Sequence, residues 1–290
     1  MDVARAEIGI IGGTGLYDMP GLSDVRDLAL ETPFGLPSTP IRLGTLANRR
    51  VAFLARHGRQ HGLLPTEVPY RANVYAMRML GVRHVFAVGA VGSLREDLAP
   101  RTAVVPDQAI DLTRRRPLSF FGDGVVAHVG FGEPFDEAMR QAWIAGARAA
   151  GVPVVERGTY VTMEGPQFST RAESRMYRTL GGDVVGMTNG IEARLAREAE
   201  IAYATICFVT DYDAWREGEA AVEAPEIFAI IKASAAAAAT AAAEAVRRCP
   251  TGERPAHRAL ASGLLTPVAA IPDAARSRLA AILAPYLPAK

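Results

Sequence analysis

The chain has 290 residues, and its Lys+Arg 32 against Asp+Glu 31 leave a formal net charge of +1. That balance gives no global field for nucleic acid or an anionic membrane surface, so any charge selectivity is local. Two cysteines, Cys207 inside an apolar run and Cys249 beside a proline-rich exit, make neither a metal cluster nor a disulfide framework and fit a reducing compartment.

From the N-terminus, "MDVARAEIGII" is too short and too soon broken by glycine for a signal segment, and no window offers the uninterrupted apolar length of a membrane span. A soluble, cytoplasmic protein is expected. Short β-branched runs then recur as candidate buried strands: 8–11, 51–55, 84–88, 159–163, 183–187 and 202–210. Helix-period segments lie between them, at 70–80, 134–151, 169–180 and 191–199. Thr170 stands three residues before Glu173, the spacing of a capping box. Residues 224–248 are alanine-rich and predict a long helix by propensity alone. The alternation predicts an α/β fold with a largely parallel sheet, favoured as one domain with a short tail. The domain is expected over 1–249; two prolines and a glycine in "CPTGERPAHR" then break the pattern, leaving 250–290 as an extension of unassigned role.

Three stretches carry chemistry. In "GIIGGTGLYD" a dinucleotide fingerprint counted from Gly13 meets Gly15 and then Asp18 where the third glycine belongs, which weakens that reading. What remains is a strand followed by a small-residue turn whose backbone N–H groups, with the Thr14 hydroxyl, suit a single phosphate, or a tight turn that merely links two elements. In "ARHGRQHG", Arg56 and His57 follow a strand end, where open α/β sheets place ligands, and a guanidinium fork and an imidazole both donate to phosphate. Arg59 and His61 are expected to face solvent or a subunit neighbour. In "TICFVTDYDAW", Asp211 and Asp213 share a face of an extended chain; burial and mutual repulsion would keep one of them protonated. One donor and one acceptor match N7 and the 6-amino group of a purine, although two aspartates capping a loop would look the same in isolation.

Together and in order, "IGIIGGTGL", "TPFGLPSTP", "FLARHGRQH", "AVGSLRE", "MEGPQFSTRAES", "GMTNGIEARLAREA" and "TDYDAW" closely resemble the 5'-methylthioadenosine phosphorylase family of trimeric purine nucleoside phosphorylases, from about residue 7 to about 248. The resemblance implies a single α/β domain with a mixed, mostly parallel central sheet flanked by helices, of the phosphorylase/hydrolase-like kind, and a homotrimer with sites near subunit interfaces, inorganic phosphate as co-substrate, no metal and no organic cofactor; no nucleic-acid or membrane partner is expected. It assigns Thr14, Arg56, His57, Ala90 and Thr188 to phosphate, Phe168 and Met187 to the nucleoside, and Ser169 with the catalytic Asp211 and Asp213 to the purine. His128, contributed by a neighbouring subunit, and Ala224 and Ile227 fall in the 5' pocket. Phe168, Met187 and Ile227 would otherwise read as core.

Three departures from the family accompany these matches. Gly89 replaces a hydroxyl or amide that supports phosphate; Gly190 and Ile191 replace an apolar residue and a proline, loosening a turn beside the ribose; and Pro69 replaces asparagine. The expected reaction is phosphorolysis of 5'-methylthioadenosine to adenine and 5-methylthioribose 1-phosphate. The alternatives are a phosphorylase for 6-oxopurine nucleosides such as methylthioinosine or inosine, a nucleosidase in which water replaces phosphate, and a non-catalytic nucleoside-binding protein on the same fold.

Overall fold

Each of the six apolar runs forms a strand of one sheet. β1 (Ile8–Gly12) is buried along its whole length, as are the apolar parts of β4 (Arg49–Ala55) and β5 (His84–Ser93). Before β4 come β2 (Ser23–Leu28) and β3 (Ile41–Leu46), and after β5 come β6 (Ala103–Val104), β7 (Gln108–Asp111) and β8 (Val154–Val155). β9 (Thr159–Thr162), β10 (Val184–Gly186) and β11 (Ala202–Asp211) complete the sheet. The structure, a computed structural model, describes residues 5–13, 16, 19–216 and 224–288. Thr14 lies outside them.

The strand order is β2-β3-β4-β1-β5-β10-β9-β7, and β11 pairs with both β5 and β6, while β8 pairs with β6. Pairs β1/β4, β1/β5, β5/β11, β9/β10, β7/β9 and β6/β8 are parallel; β2/β3, β3/β4, β5/β10 and β6/β11 are antiparallel. The sheet is therefore mixed and mostly parallel. β5 is its hub, and it runs five residues past the predicted end because its last half, "GAVGS", is held between β11 and β10.

The helices are α1 (Tyr70–Met79), α2 (Glu137–Ala149), α3 (Arg171–Thr179), α4 (Asn189–Glu198), α5 (Ala224–Arg247), α6 (Ala259–Gly263), α7 (Asp273–Arg278) and α8 (Ala280–Leu283). α3 starts at the expected capping box: the Glu173 amide donates to Thr170 Oγ1 at 3.1 Å and the Thr170 amide to Glu173 Oε2 at 2.8 Å. α5 is long and apolar enough to cross a membrane by length and composition, although Lys232 interrupts its apolar run. Its second half is packed: Ala241, Ala242, Ala245 and Val246 are fully buried, and α2 comes so close that a Cβ on Gly146 would lie 2.4 Å from the Ala241 carbonyl oxygen.

The residues after 249 share the core of the rest. Leu260, Ile271, Leu279, Ile282 and Leu283 join one buried cluster with Val74 and Tyr75 of α1 and Leu195 of α4. Arg254 pairs with Asp136 at 3.0 Å, and Tyr286 donates to Glu200. The composition change at residue 250 thus marks a change from long helix to short ones wrapped on the same body.

Candidate active site

A cavity of about 410 Å³ opens past the carboxyl ends of β1, β4, β5 and β11, where a parallel sheet leaves its outermost backbone groups unpaired. Of the residues singled out in the sequence, Arg56, His57, Ala90, Phe168, Met187, Thr188, Asp211, Asp213, Ala224 and Ile227 line it. Ser169 stands behind them, close enough to Asp213 to affect its ionisation. His128 is elsewhere, on a stretch whose backbone bonds Gly263 at 2.8 Å and with its side chain exposed, so this chain's own fold does not bring it to the cavity.

At one end, the Arg56 guanidinium is buried in a two-pronged pair with Glu192: Nε donates to Oε1, and Nη2 to Oε2 at 2.9 Å. Nη1 donates to the Val88 carbonyl at 3.0 Å. Three of the five guanidinium N–H groups are thereby spent on fixing the plane, and two have no protein partner among the described residues. Burial acts to lower the Arg56 pKa, but the Glu192 carboxylate more than offsets it and the net shift is upward, so the group stays charged. Tyr203 donates to Glu192 Oε2 at 2.8 Å, completing a buried base under the site. Thr188 precedes α4 and makes no capping bond with its side chain, which leaves its hydroxyl to the cavity.

His57 corrects an expectation. Its Nδ1 lies 2.9 Å from the Leu63 carbonyl oxygen, an acceptor, so Nδ1 must carry the proton. Burial, and then the Arg56 charge, push its pKa down to about 4, so the ring is neutral near pH 7 and Nε2 accepts rather than donates. The partner it suits is the hydroxyl of a protonated oxyanion. His61 is exposed, as expected, and it also lines the cavity, its ring stacked on His57 at 4.7 Å and edge-on to Phe228 at 5.3 Å. It makes a rim with Ile227, which was expected in the 5' pocket, and with Leu64 and Phe228, which the sequence did not single out, although two histidines four apart in a glycine-flanked loop were a signal.

At the other end is the aspartate pair. β11 carries a bulge there, Val209 pairing with Val91 and Asp211 with Gly92, so that Thr210 is the extra residue and Asp211 turns out at the strand end. Thr210 Oγ1 and the Asp213 amide donate to the Asp211 carboxylate at 2.5 and 2.8 Å, which keeps it an acceptor. Gly92 is the unpredicted partner: a Cβ there would lie 3.1 Å from both Asp211 Oδ2 and Asp213 Cβ. Asp213 has its pKa raised, chiefly by burial; Ser174 and Ser169 oppose the shift, yet Asp213 Oδ2 and Ser174 Oγ end without a well-formed hydrogen bond. Burial, rather than repulsion between the two aspartates, is the leading cause of that upward shift.

Two of the three family departures also read differently in the fold. Gly190 and Ile191 do not loosen a turn: they sit in the first turn of α4, Ile191 fully buried and Gly190 so close that a Cβ would meet Thr162 Oγ1 at 2.1 Å. Opposite Gly89, a Cβ would meet Asn189 Oδ1 at 2.6 Å, so the space left by the missing side chain is filled. Pro69 heads α1, its carbonyl accepting from the Asn73 amide at 2.9 Å.

The pattern of the phosphorylase superfamily matches residues 7–248. The S-methyl-5'-thioadenosine phosphorylase of Koribacter versatilis is 50% identical over 288 residues, covering 97% of each chain. That of Synechocystis is 49% identical over 291 residues, 99% of this chain and 89% of its own. Among solved structures, a methylthioadenosine phosphorylase from an antarctic soil metagenomic library superposes with a TM-score of 0.91 at 46% identity, covering 98% of this chain and 100% of its own. The Schistosoma mansoni methylthioadenosine phosphorylase in complex with adenine gives 0.77 at 36% identity, with 83% and 91% covered.

Proposed function

We propose that this chain, which belongs to the phosphorylase superfamily, cleaves 5'-methylthioadenosine with inorganic phosphate to adenine and 5-methylthioribose 1-phosphate. The observation that carries the reading is one cavity with unlike ends: a fixed guanidinium and a free hydroxyl at Arg56 and Thr188, and an Asp213 whose pKa burial raises beside an acceptor Asp211. Between them lie Met187 and Phe168, with Ala224, Ile227 and Phe228 offering apolar surface to a 5' thioether.

Phosphate held by the two open Arg56 N–H groups attacks C1' as the bond from C1' to N9 breaks, through a transition state with oxocarbenium character. The bond electrons pass into the purine, and the Asp213 O–H donates to N7, a general-acid contribution of about 10²–10⁴-fold. Asp211 accepts from the 6-amino group. His57 Nε2 accepts the phosphate hydroxyl and so turns a lone pair of another oxygen toward C1'. Alignment and electrostatic complementarity do the rest. No metal, organic cofactor or covalent intermediate enters this chemistry.

The proposal includes a homotrimer in which a neighbouring subunit's copy of the His128 segment closes the 5' end; in support, His128 is exposed here and Phe228 stands 45% exposed at the rim. A cytoplasmic setting fits two cysteines that are both unpaired and buried. The test is adenine release from methylthioadenosine with and without phosphate, with methylthioinosine alongside. Release that depends on phosphate and favours the adenine nucleoside is expected. Equal release without phosphate would make the protein a nucleosidase, preference for methylthioinosine a 6-oxopurine phosphorylase, and no turnover a binding protein.

A further inference from the structure

Asn189 is 1% exposed and holds the ground that Gly89 vacates. Its Nδ2 lies 3.0 Å from both Tyr203 Oη and Thr205 Oγ1. Each of those hydroxyls has only one hydrogen, and each has given it away: Tyr203 to Glu192 at 2.8 Å, Thr205 to the Ala87 carbonyl at 3.2 Å. They can therefore only accept from Asn189, and this fixes the amide with its NH₂ toward the hydroxyls and its oxygen toward Gly89. That oxygen is buried without a hydrogen-bond partner among the described residues, an arrangement that folding alone disfavours.

The amide is thus the first member of a buried series that runs through the Tyr203 hydroxyl and the Glu192 carboxylate to the Arg56 guanidinium. Every link has its donor and acceptor assigned, so a displaced Asn189 frees Tyr203 to rotate and leaves the Glu192 carboxylate one donor short. Any side chain at 89 would displace it. We propose that Asn189 is a positioning residue for the anion site, acting on Arg56 through Tyr203 and Glu192, and that Gly89 is the counterpart that makes room for it. The glycine in "VGAVG" and the asparagine in "MTNG" are one unit, and the absence of a side chain at 89 is a compensated change. This rests on the reading of the Arg56 end as the phosphate site.

The experiment compares Asn189→Ala, Gly89→Ser and the double variant with the parent, measuring KM for phosphate and for methylthioadenosine, kcat, and thermal unfolding. Each single variant should raise the phosphate KM about tenfold with the nucleoside KM within about twofold. The double variant should fall well short of the product of the two effects, because the serine then enters space already emptied. Independent, multiplying effects, or equal rises in both KM values, would overturn the proposal. If Gly89→Ser does not fold, Gly89→Ala introduces the same Cβ, and its unfolding temperature should recover when Asn189→Ala is added; no recovery also overturns it. Parent activity indifferent to phosphate would sink the site reading instead, and the stability coupling between positions 89 and 189 would still be read directly.

Discussion

Arg56 and Glu192 meet across 136 positions of sequence as a two-pronged ion pair, with 3% and 2% of their surfaces exposed. The carboxylate cancels the charge of the guanidinium without hiding it, so the anion end offers oriented donors rather than net charge. Removing one member of a buried pair typically costs about 3–5 kcal/mol, because the other is left uncompensated. Glu192→Ala should therefore unfold at markedly lower denaturant than the parent, and Arg56→Ala should combine such a loss with a raised phosphate KM and lower kcat. An Arg56→Ala protein with unchanged phosphate dependence would take Arg56 out of the site.

Two imidazole rings, His57 half-buried and His257 buried, set an acid limit on stability. His57 and His257 have pKa values of about 4 in the folded protein, both chiefly through burial, against the 6.5 of an ordinary solvated histidine. Between 6.5 and 4 the unfolded chain binds more protons, so their contribution is fully present above about 6.5 and is lost as pH falls toward 4. Each should contribute on the order of 1 kcal/mol once solvent screening is included. His257 receives the Arg254 amide at 3.0 Å and lies 2.9 Å from the Arg83 carbonyl, so His257→Gln should flatten part of that slope without touching catalysis. Saturating phosphate, by raising the His57 pKa, should flatten another part. Stability that holds level from pH 7 to 4 would contradict both assignments.

The strands legible in the sequence were those with nearly continuous buried runs, and the helices those with an apolar period, a capping box or high alanine content. β1, β5 and β11 are nearly continuous apolar runs, and all five predicted helices are present within a few residues. β2, with five of six residues exposed, and the two-residue β6 and β8 carry no pattern of their own; pairing with β3, β11 and each other makes them strands. Strand ends marked Arg56 and Asp211 because ligands gather there. Glu192, Gly92 and Asn189 were illegible for the opposite reason: each matters through a residue far away in sequence, and a glutamate on a helix or a glycine in a strand has no local sign of its partner.

Gly190 offers a check on the α4 end of the site. An apolar side chain there, as in Gly190→Leu, would drive into Thr162 Oγ1, which a Cβ alone would approach to 2.1 Å. Overpacking of this kind costs roughly 1–3 kcal/mol, and α4 would have to shift with Thr188 at its head. The variant should lose stability and phosphate affinity together, and Thr162→Ala should restore part of both. A fully stable and active Gly190→Leu protein would show that α4 does not sit as described.

On the proposed reading, the aspartate end sets base choice. A site that hydrogen-bonds a polar substituent can reject the mismatched analogue by ~10⁴–10⁵, far more than an apolar pocket achieves. With Asp211 held as an acceptor by Thr210 and the Asp213 amide, and Asp213 biased toward its acid form by burial, the pair fits a 6-amino purine and N7 and not a 6-oxo group with N1–H. The sign of the pH effect follows: the acid form of Asp213 is the donor, so activity on methylthioadenosine should fall as pH rises through its raised pKa. Asp213→Asn replaces the titratable O–H with an NH₂ that does not titrate and brings a second donor, which suits a 6-oxo base. That variant, or Asp211→Asn, should lose most methylthioadenosine activity, lose this alkaline limb in the case of Asp213, and gain relative activity on methylthioinosine. The measurement is the ratio of kcat/KM for the two bases across pH. A parental ratio kept in both variants would mean that the purine is read elsewhere in the cavity, and the two aspartates would then be left with the bulge they stabilise at the end of β11.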